Sequence, residues 1–302
     1  MQTEELEITK VNQKINSLDD SYIIVVMPQG LGDILFFCIY AKEYRKMHSG
    51  RKLALVVSKL HFLDLANLYS QCFETILYVP AAIFDKVDNT RFTYFFPMIY
   101  DEKNPQTHLA VAVRRAMGIE NCNTPYYPII YVTKKEKKLI EKYHFPRGKT
   151  VLIAPEAVSC TIDMTEEDWV KIADRLADKG LTVFFNSKDQ SSYGKYPKVF
   201  LPMRETLIFT HYAGYFIGFR SGLCDVIAAF SDCKQIIIYP NNKKIGEFPA
   251  IKNFDFNPNI KYMEYCSLRE AFPDRIITEF VYEKDKVFKV IEREFRDGKD
   301  IG

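Results

Sequence analysis

Three short stretches carry side chains whose types and spacing could do chemistry. The first runs from Gly218 to Ile227, G-F-R-S-G-L-C-D-V-I, after the apolar Tyr215-Phe216-Ile217 and before Ala228-Ala229-Phe230. This order predicts a strand, a tight turn on Gly222 and the start of a helix. The unpaired N–H groups of such a start suit a phosphate or diphosphate. Arg220 could grip phosphate oxygens with its forked donors, and Ser221 with the N–H groups of Gly222 and Leu223 could complete the cradle. Asp225, one turn further on, would cap the helix or position Arg220. The competing reading is a capped helix with Arg220 in a structural ion pair.

The second stretch is Pro28-Gln29-Gly30-Leu31-Gly32-Asp33. Glycines at Gly30 and Gly32, flanking Leu31, would let a substrate approach the backbone closely. Asp33 then falls in the first turn of a helix, where a carboxylate could take a proton from a substrate hydroxyl. An aspartate that merely caps the helix is the alternative. The stretch is not G-x-G-x-x-G, and the second strand ends at Val57-Ser58-Lys59 without the acidic residue of a dinucleotide site. The third stretch is Ile153-Ala154-Pro155-Glu156-Ala157, followed by Ser159. Together with the loop Asn186-Ser187-Lys188-Asp189 it could line a ligand cleft, offering a cation and small polar groups to a phosphate or ribose. Plain strand-to-loop transitions fit both loops equally well.

Other chemistries find no support. The five histidines (48, 61, 108, 144, 211) show neither H-x-x-x-H nor H-x-H, so no metal site is expected. The seven cysteines are scattered without C-x-x-C, which points to reduced thiols in a cytoplasmic protein. There is no G-x-S-x-G and no Walker lysine. His211 reads as structural. The charge run Lys134 to Lys138 reads as a solvated helix face, and Lys243 and Lys244 with Gly246-Glu247-Phe248 as a solvated loop.

The elements that must position these residues alternate. Strands are expected at Tyr22 to Met27, Lys52 to Val57, Thr75 to Val79, Thr150 to Ala154, Leu181 to Asn186, Tyr215 to Ile217 and Gln235 to Tyr239. Helices are expected at Asp33 to Met47, His61 to Ser70, Thr107 to Met117, Lys134 to Tyr143, from Thr165 as cap to Gly180, at Leu223 to Phe230 and at Glu283 to Arg296. The pattern blurs between Ala81 and Thr107. Apolar strands without alternation imply parallel strands buried on both faces. The fold class is therefore α/β, with two Rossmann-like domains facing a cleft. Residues 1–20 read as a polar extension, 21–132 as the first domain, 133–149 as a linker region, 150–282 as the second domain, and 283–302 as a C-terminal helix crossing back to the first.

Composition bounds the function. The chain has 302 residues, 47% hydrophobic and 26% charged, with a net charge of +2, which gives no bulk attraction for nucleic acid. No apolar run approaches the ~20 residues of a membrane span. The polar, acidic N-terminus reads as no signal peptide.

The order and spacing of the motifs resemble the GT-B glycosyltransferases, in particular the bacterial heptosyltransferases that build lipopolysaccharide core. Those proteins carry a G-D-x-I-L turn, matched by Gly32-Asp33-Ile34-Leu35 with an extra glycine at Gly30. Their second domain opens on a strand ending Pro-Gly-Ala, matched by Pro155-Glu156-Ala157. A Trp-containing helix follows, here Trp169 to Leu176, then G-x-x-V at Gly180 to Val183. Their G-x-D-S-G-x-x-H-x-A-A-A element is matched by Gly218 to Ala229. Arg220 replaces its aspartate and Asp225 its histidine, and the arginine resembles the donor sites of fucosyltransferases. Glu156 replaces a glycine.

This resemblance implies an inverting, metal-independent transfer of a hexosyl or heptosyl group from a nucleotide-diphospho-sugar, with no cofactor. The donor would lie on the second domain, against Pro155, Glu156, Ser187, Lys188, Arg220, Ser221, Gly222, Leu223 and Asp225. The acceptor, a cell-surface polysaccharide or glycolipid precursor, would lie by Gly30, Leu31 and Gly32, with Asp33 as catalytic base. Peripheral contact with the inner membrane surface is expected, although no basic docking patch is evident. A nucleotide-sugar epimerase of the same fold and a non-catalytic nucleotide-sugar-binding protein stay open as alternatives.

Overall fold

A computed structural model of the chain describes residues 2–27, 30–95, 108–122, 124–157, 164–188, 192–240 and 262–295. The chain divides into two compact units, Met1–Ile129 and Ile130–Gly302. Pro28, Gln29, Ser159, Asp189, the segment with Lys243 and Lys244, and Arg296 lie outside the described residues, as do residues 96–107 at the end of the stretch where the sequence pattern blurs, with the expected helix start at Thr107.

The first unit runs α1 (Gln2–Asn16), β1 (Tyr22–Val26), α2 (Leu31–Met47), β2 (Lys52–Val57), α3 (Leu60–Leu68), β3 (Thr75–Tyr78), β4 (Phe92–Tyr94) and α4 (Leu109–Ala116). Its sheet has the order β3-β2-β1-β4, and every pairing is parallel. The Val- and Ile-rich β1 and β2 are covered on both faces, which is why they read as unbroken apolar runs. The expected polar extension is corrected here. Residues 2–16 form a helix, and Val11 and Ile15, with Leu18 beyond it, bury against Ile24, Val26, Ala54, Val56 and Leu77 of the sheet. The spacing Ile8, Val11, Ile15, Leu18 is a narrow helical stripe that the surrounding charges mask.

The second unit runs α5 (Lys134–Lys142), β5 (Thr150–Ala154), α6 (Glu166–Ala177), β6 (Thr182–Asn186), β7 (Lys198–Val199), α7 (Met203–Ala213), β8 (Gly214–Phe219), α8 (Gly222–Phe230), β9 (Lys234–Tyr239), α9 (Tyr262–Tyr265), α10 (Leu268–Ala271), β10 (Ile277–Val281) and α11 (Lys284–Glu294). Its six strands are also all parallel, in the order β10-β9-β8-β5-β6-β7. Helix α6 starts on a capping box: Asp168 N–H donates to Thr165 Oγ1 at 3.2 Å, and Thr165 N–H to Asp168 Oδ2 at 3.1 Å. Helix α5 repeats the device with Thr133 and Glu136.

A second correction concerns the C-terminal helix. It was expected to cross back to the first domain. Instead Val287, Val290 and Ile291 of α11 join the second unit's own core, with Trp169, Ile172 and Leu176 of α6. Arg175 bonds Glu292 at 2.5 Å, and its guanidinium lies 4.4 Å from the Phe288 ring. Among the described residues, no helix is long and apolar enough to cross a membrane.

Candidate functional site

The strand order of the second unit locates its ligand crevice. Counted along the chain, the sheet reads third, second, first, fourth, fifth, sixth, the order of a doubly wound α/β fold. The chain leaves β5 towards one edge and returns at β8 towards the other. Ligands in such sheets sit beyond the carboxyl ends of these two strands. The register pairs Ala154 with Gly218, so the two strands end level with each other. Pro155 and Glu156 emerge from one strand, and Arg220 and Ser221 from the other.

Helix α8 begins at this point. Ser221 is its N-cap residue in extended conformation (φ −151°, ψ 168°), and its side chain makes no capping hydrogen bond. Ser221, Gly222 and Leu223 are half-exposed. The first turn thus offers the backbone N–H groups of Gly222 and Leu223 beside the Ser221 hydroxyl, whose Oγ lies 3.6 Å from Cys224 Sγ, an arrangement suited to an anion. Gly218 lets the helix lie this close to β8. A Cβ there would stand 2.6 Å from Phe216 Cε1 and 3.0 Å from Cys224 Sγ.

Arg220 does not face the crevice. It is 3% exposed and Asp225 2%. Its Nη2 donates to Asp225 Oδ1 at 2.7 Å and its Nη1 to Oδ2 at 2.9 Å, a bidentate pair across the first turn of α8. Nη1 also reaches Ser221 O at 2.7 Å, and Nε reaches Cys266 O at 3.2 Å. Burial is the largest influence and opposes the charge on Arg220, but Asp225 together with Tyr262, Tyr239 and Cys266 more than offsets it and keeps the guanidinium protonated. Burial pushes the Asp225 carboxyl above its ordinary range, while Arg220 pulls it the other way. Of the roles open to Asp225, the geometry realises the one that positions Arg220.

The pair belongs to a network that the sequence did not disclose. Tyr239 Oη donates its one hydrogen to the Glu279 carboxylate, at 2.6 Å from Oε1, and lies 2.8 Å from Cys266 O. Glu279 further accepts from Ser267 Oγ at 2.8 Å and Leu268 N at 2.6 Å. Glu279 sits on β10, a strand too polar (Ile277-Thr278-Glu279-Phe280-Val281) to stand out. Tyr239 is legible only as the end of an apolar strand.

On the other side of β5, the Glu156 carboxylate accepts from the Ser187 hydroxyl, because β5 and β6 are neighbours and both end here. Ser187 is buried, and its N–H donates to Val199 O at 3.1 Å. Tyr193 Oη approaches Ser187 Oγ at 3.5 Å, and its ring stacks on Phe185 with centroids 4.1 Å apart. Lys188 is exposed, with Nζ 4.4 Å from the centroid of Phe200. The second unit therefore gathers Pro155, Glu156, Ser187, Ser221, Gly222 and Leu223 on one rim, with Arg220 and Asp225 beneath it.

The first unit repeats the order third, second, first, fourth, and its corresponding turn holds Gly30, Leu31, Gly32 and Asp33. Gly30 is the N-cap of α2, extended at φ −138°, ψ 168°, with no side-chain cap. Asp33 is the third helical residue and is half-buried. Its Oδ2 stands 3.0 Å from where a Cβ on Gly30 would be, so the glycine leaves room for the carboxylate. Leu31 is half-buried and Gly32 buried. Among the described residues, no group of three His, Cys, Asp or Glu side chains could hold a metal ion.

By sequence, no family model and no curated protein matches the chain. By structure it is similar to a family 9 glycosyl transferase of Veillonella parvula, at 10% identity and TM-score 0.60 over 93% of this chain and 90% of that one. It is similar to E. coli heptosyltransferase WaaC with ADP, at 11% identity and TM-score 0.56 over 90% and 99%. The iron-containing dodecameric glycosyltransferase TibC of enterotoxigenic E. coli aligns at 18% identity and TM-score 0.50 over 72% of this chain, which spans 57% of TibC. At these identities the likeness is one of fold: the chain folds as heptosyltransferases and family 9 glycosyltransferases do.

Proposed function

We propose that this chain is an inverting, metal-independent glycosyltransferase that takes its sugar from a nucleotide-diphospho-sugar on the second unit. The observation that carries the reading is the uncapped start of α8 at the switch point of a six-stranded parallel sheet. The N–H groups of Gly222 and Leu223 and the Ser221 hydroxyl hold the diphosphate. They meet its charge as the bond to the anomeric carbon breaks, which is where such donors lower a barrier most. Glu156, its carboxylate held by the Ser187 hydroxyl, accepts from ribose or sugar hydroxyls, with Pro155 shaping the rim and Lys188 beside it. WaaC, similar in fold, was solved with ADP, which makes ADP the first nucleotide to try.

On the first unit, Asp33 is the base. The acceptor oxygen attacks the anomeric carbon, its proton passes to the Asp33 carboxylate, and the nucleoside diphosphate leaves with the bonding electron pair. Gly30, Leu31 and Gly32 let the acceptor approach. The acceptor is a cell-surface polysaccharide or glycolipid precursor reached from the cytoplasm, with peripheral contact at the inner membrane surface.

A thermal-shift series with ADP, GDP, UDP, CDP and dTDP tests the donor half. Ligand at 100 times its dissociation constant stabilises by ~2.7 kcal/mol. No shift with any of the five would refute it. Asp33→Asn should abolish transfer and leave nucleotide binding intact; loss of both would make Asp33 structural. A chelator should leave the rate unchanged, and a dependence on added metal would overturn the metal-independent step.

A further inference from the structure

Helix α5 is basic beyond anything the helix itself can use. Its nine residues hold five lysines and two glutamates, a net +3 where the entire chain carries +2. Glu136 is turned inward, where it bonds Thr133 N–H and accepts from Arg204 Nε at 2.7 Å. Leu139 and Ile140 are half-buried, and Lys134, Lys135, Lys137, Lys138 and Lys142 are exposed with Glu141. Lys134 and Lys135 stand in the first turn, against the helix dipole, and Lys134 repels Lys137 and Lys138 at helical spacing. Among the described residues, the one ion pair these lysines make is Lys135 with Glu205, at 3.9 Å.

Directly ahead of this helix Tyr131 is 74% exposed and Val132 42%. Arg204 holds them in place, since its Nη2 donates to Tyr131 O at 2.8 Å while its Nε holds Glu136. One arginine therefore fixes an exposed aromatic and aliphatic pair against the start of a cationic helix.

We infer that Tyr131, Val132 and the lysines of α5 form a docking surface for an anionic lipid bilayer. Lysines pair with acidic headgroups, and a tyrosine beside them settles at headgroup level. A second copy of this chain is disfavoured there, because a symmetric contact would set lysines against lysines. A purely ionic polymer leaves Tyr131 and Val132 in water. The inference deepens the membrane contact proposed above and does not depend on the transfer chemistry.

The test is flotation of the full chain with vesicles of phosphatidylcholine alone and of phosphatidylcholine mixed with phosphatidylglycerol. The wild-type protein should float only with the mixed vesicles, and high salt should release it. The variant K134Q/K135Q/K137Q/K138Q should bind on the order of 100-fold more weakly or worse. Glutamine has nearly the helix propensity of lysine, and removing like charges leaves the fold at least as stable. Tyr131→Ser should weaken binding several-fold and keep the salt dependence. Equal flotation with neutral vesicles overturns the inference. So does a fourfold variant that floats like wild type, or tight binding to heparin without flotation. Nucleoside diphosphate binding, measured on the same samples, should be unchanged by these substitutions, so failure of either reading shows by itself.

Discussion

Arg220→Met removes one partner of a buried, bidentate pair and leaves Asp225 at 2% exposure with no countercharge. Breaking a buried pair in this way costs about 3–5 kcal/mol. Replacing both, as Arg220→Met with Asp225→Leu, removes the stranded charge, and such exchanges are often neutral or stabilising. Urea unfolding should therefore place the single variant ~3–5 kcal/mol below wild type and the double variant close to it. The pH dependence has a definite sign. Burial already raises the Asp225 carboxyl, and without Arg220 only a backbone N–H hydrogen bond at Asp225 opposes that rise. A raised carboxyl favours the folded state when protonated, so the deficit of Arg220→Met should shrink as pH falls and grow as pH rises through the folded value. The decisive measurement is affinity for whichever nucleoside diphosphate the wild type binds best. If Arg220 only positions the start of α8, the double variant should bind within a few-fold of wild type. If Arg220 grips phosphate directly, a charge-assisted bond worth ~1.5–3 kcal/mol disappears, and affinity falls by about 10- to 150-fold. A well-folded double variant with that loss would refute the positioning argument. So would a single variant destabilised by less than ~1 kcal/mol.

Other outcomes follow from the same geometry. Glu136 and Asp168 are buried and Glu294 is half-buried; burial raises their carboxyls, but hydrogen bonds and cations together outweigh it and hold them below the usual range. Their contribution is present above the unfolded values and is lost as pH falls through the folded ones, so an acid titration should show unfolding setting in below about pH 4. Thr165→Ala breaks the α6 capping box and should cost ~1 kcal/mol in chemical denaturation. Gly214 ends α7 at φ +96°, and a Cβ there would stand 2.9 Å from Gly148 Cα. Gly214→Ala should therefore lower stability by more than ~1 kcal/mol, and a variant that melts like wild type would contradict the geometry.

The interior strands were legible because burial on both faces leaves no polar alternation to confuse the reading. Both strand-to-helix turns were legible through Gly30, Gly32 and Gly222. What escaped notice was whatever needed a partner to make sense. α1 shows only three apolar residues, Ile8, Val11 and Ile15, on the stripe that Leu18 continues. α7 (Met203–Ala213) buries five consecutive residues, Thr206 to Thr210, two of them threonines, and so lacks clear amphipathic contrast. β10 carries Glu279, whose charge is satisfied only by Tyr239, Ser267 and Leu268 arriving from elsewhere. The fate of Arg220 was undecidable for a related reason. An arginine and an aspartate five residues apart can face each other or a ligand, and only the level ends of β5 and β8 and the depth of the turn decide. The expected return of the last helix failed because its apolar stripe fits Trp169, Ile172 and Leu176 of its own unit.

That last packing has a bearing on synthesis. Among the described residues, the first unit has its strands by Tyr94 and its helices by Ala116, so it can fold while the second is still being translated. The second unit cannot seal α6 until Ile291 has left the ribosome. At ~5–20 residues per second, the stretch from Ile129 to Glu294 takes roughly ten to thirty seconds. From their own synthesis until α11 follows, Trp169 and its neighbours lack their cover, and a chain released before α11 would keep that apolar face open to chaperones and proteases. Helix α11 thus makes the second unit's integrity a readout of translation having reached its last turn.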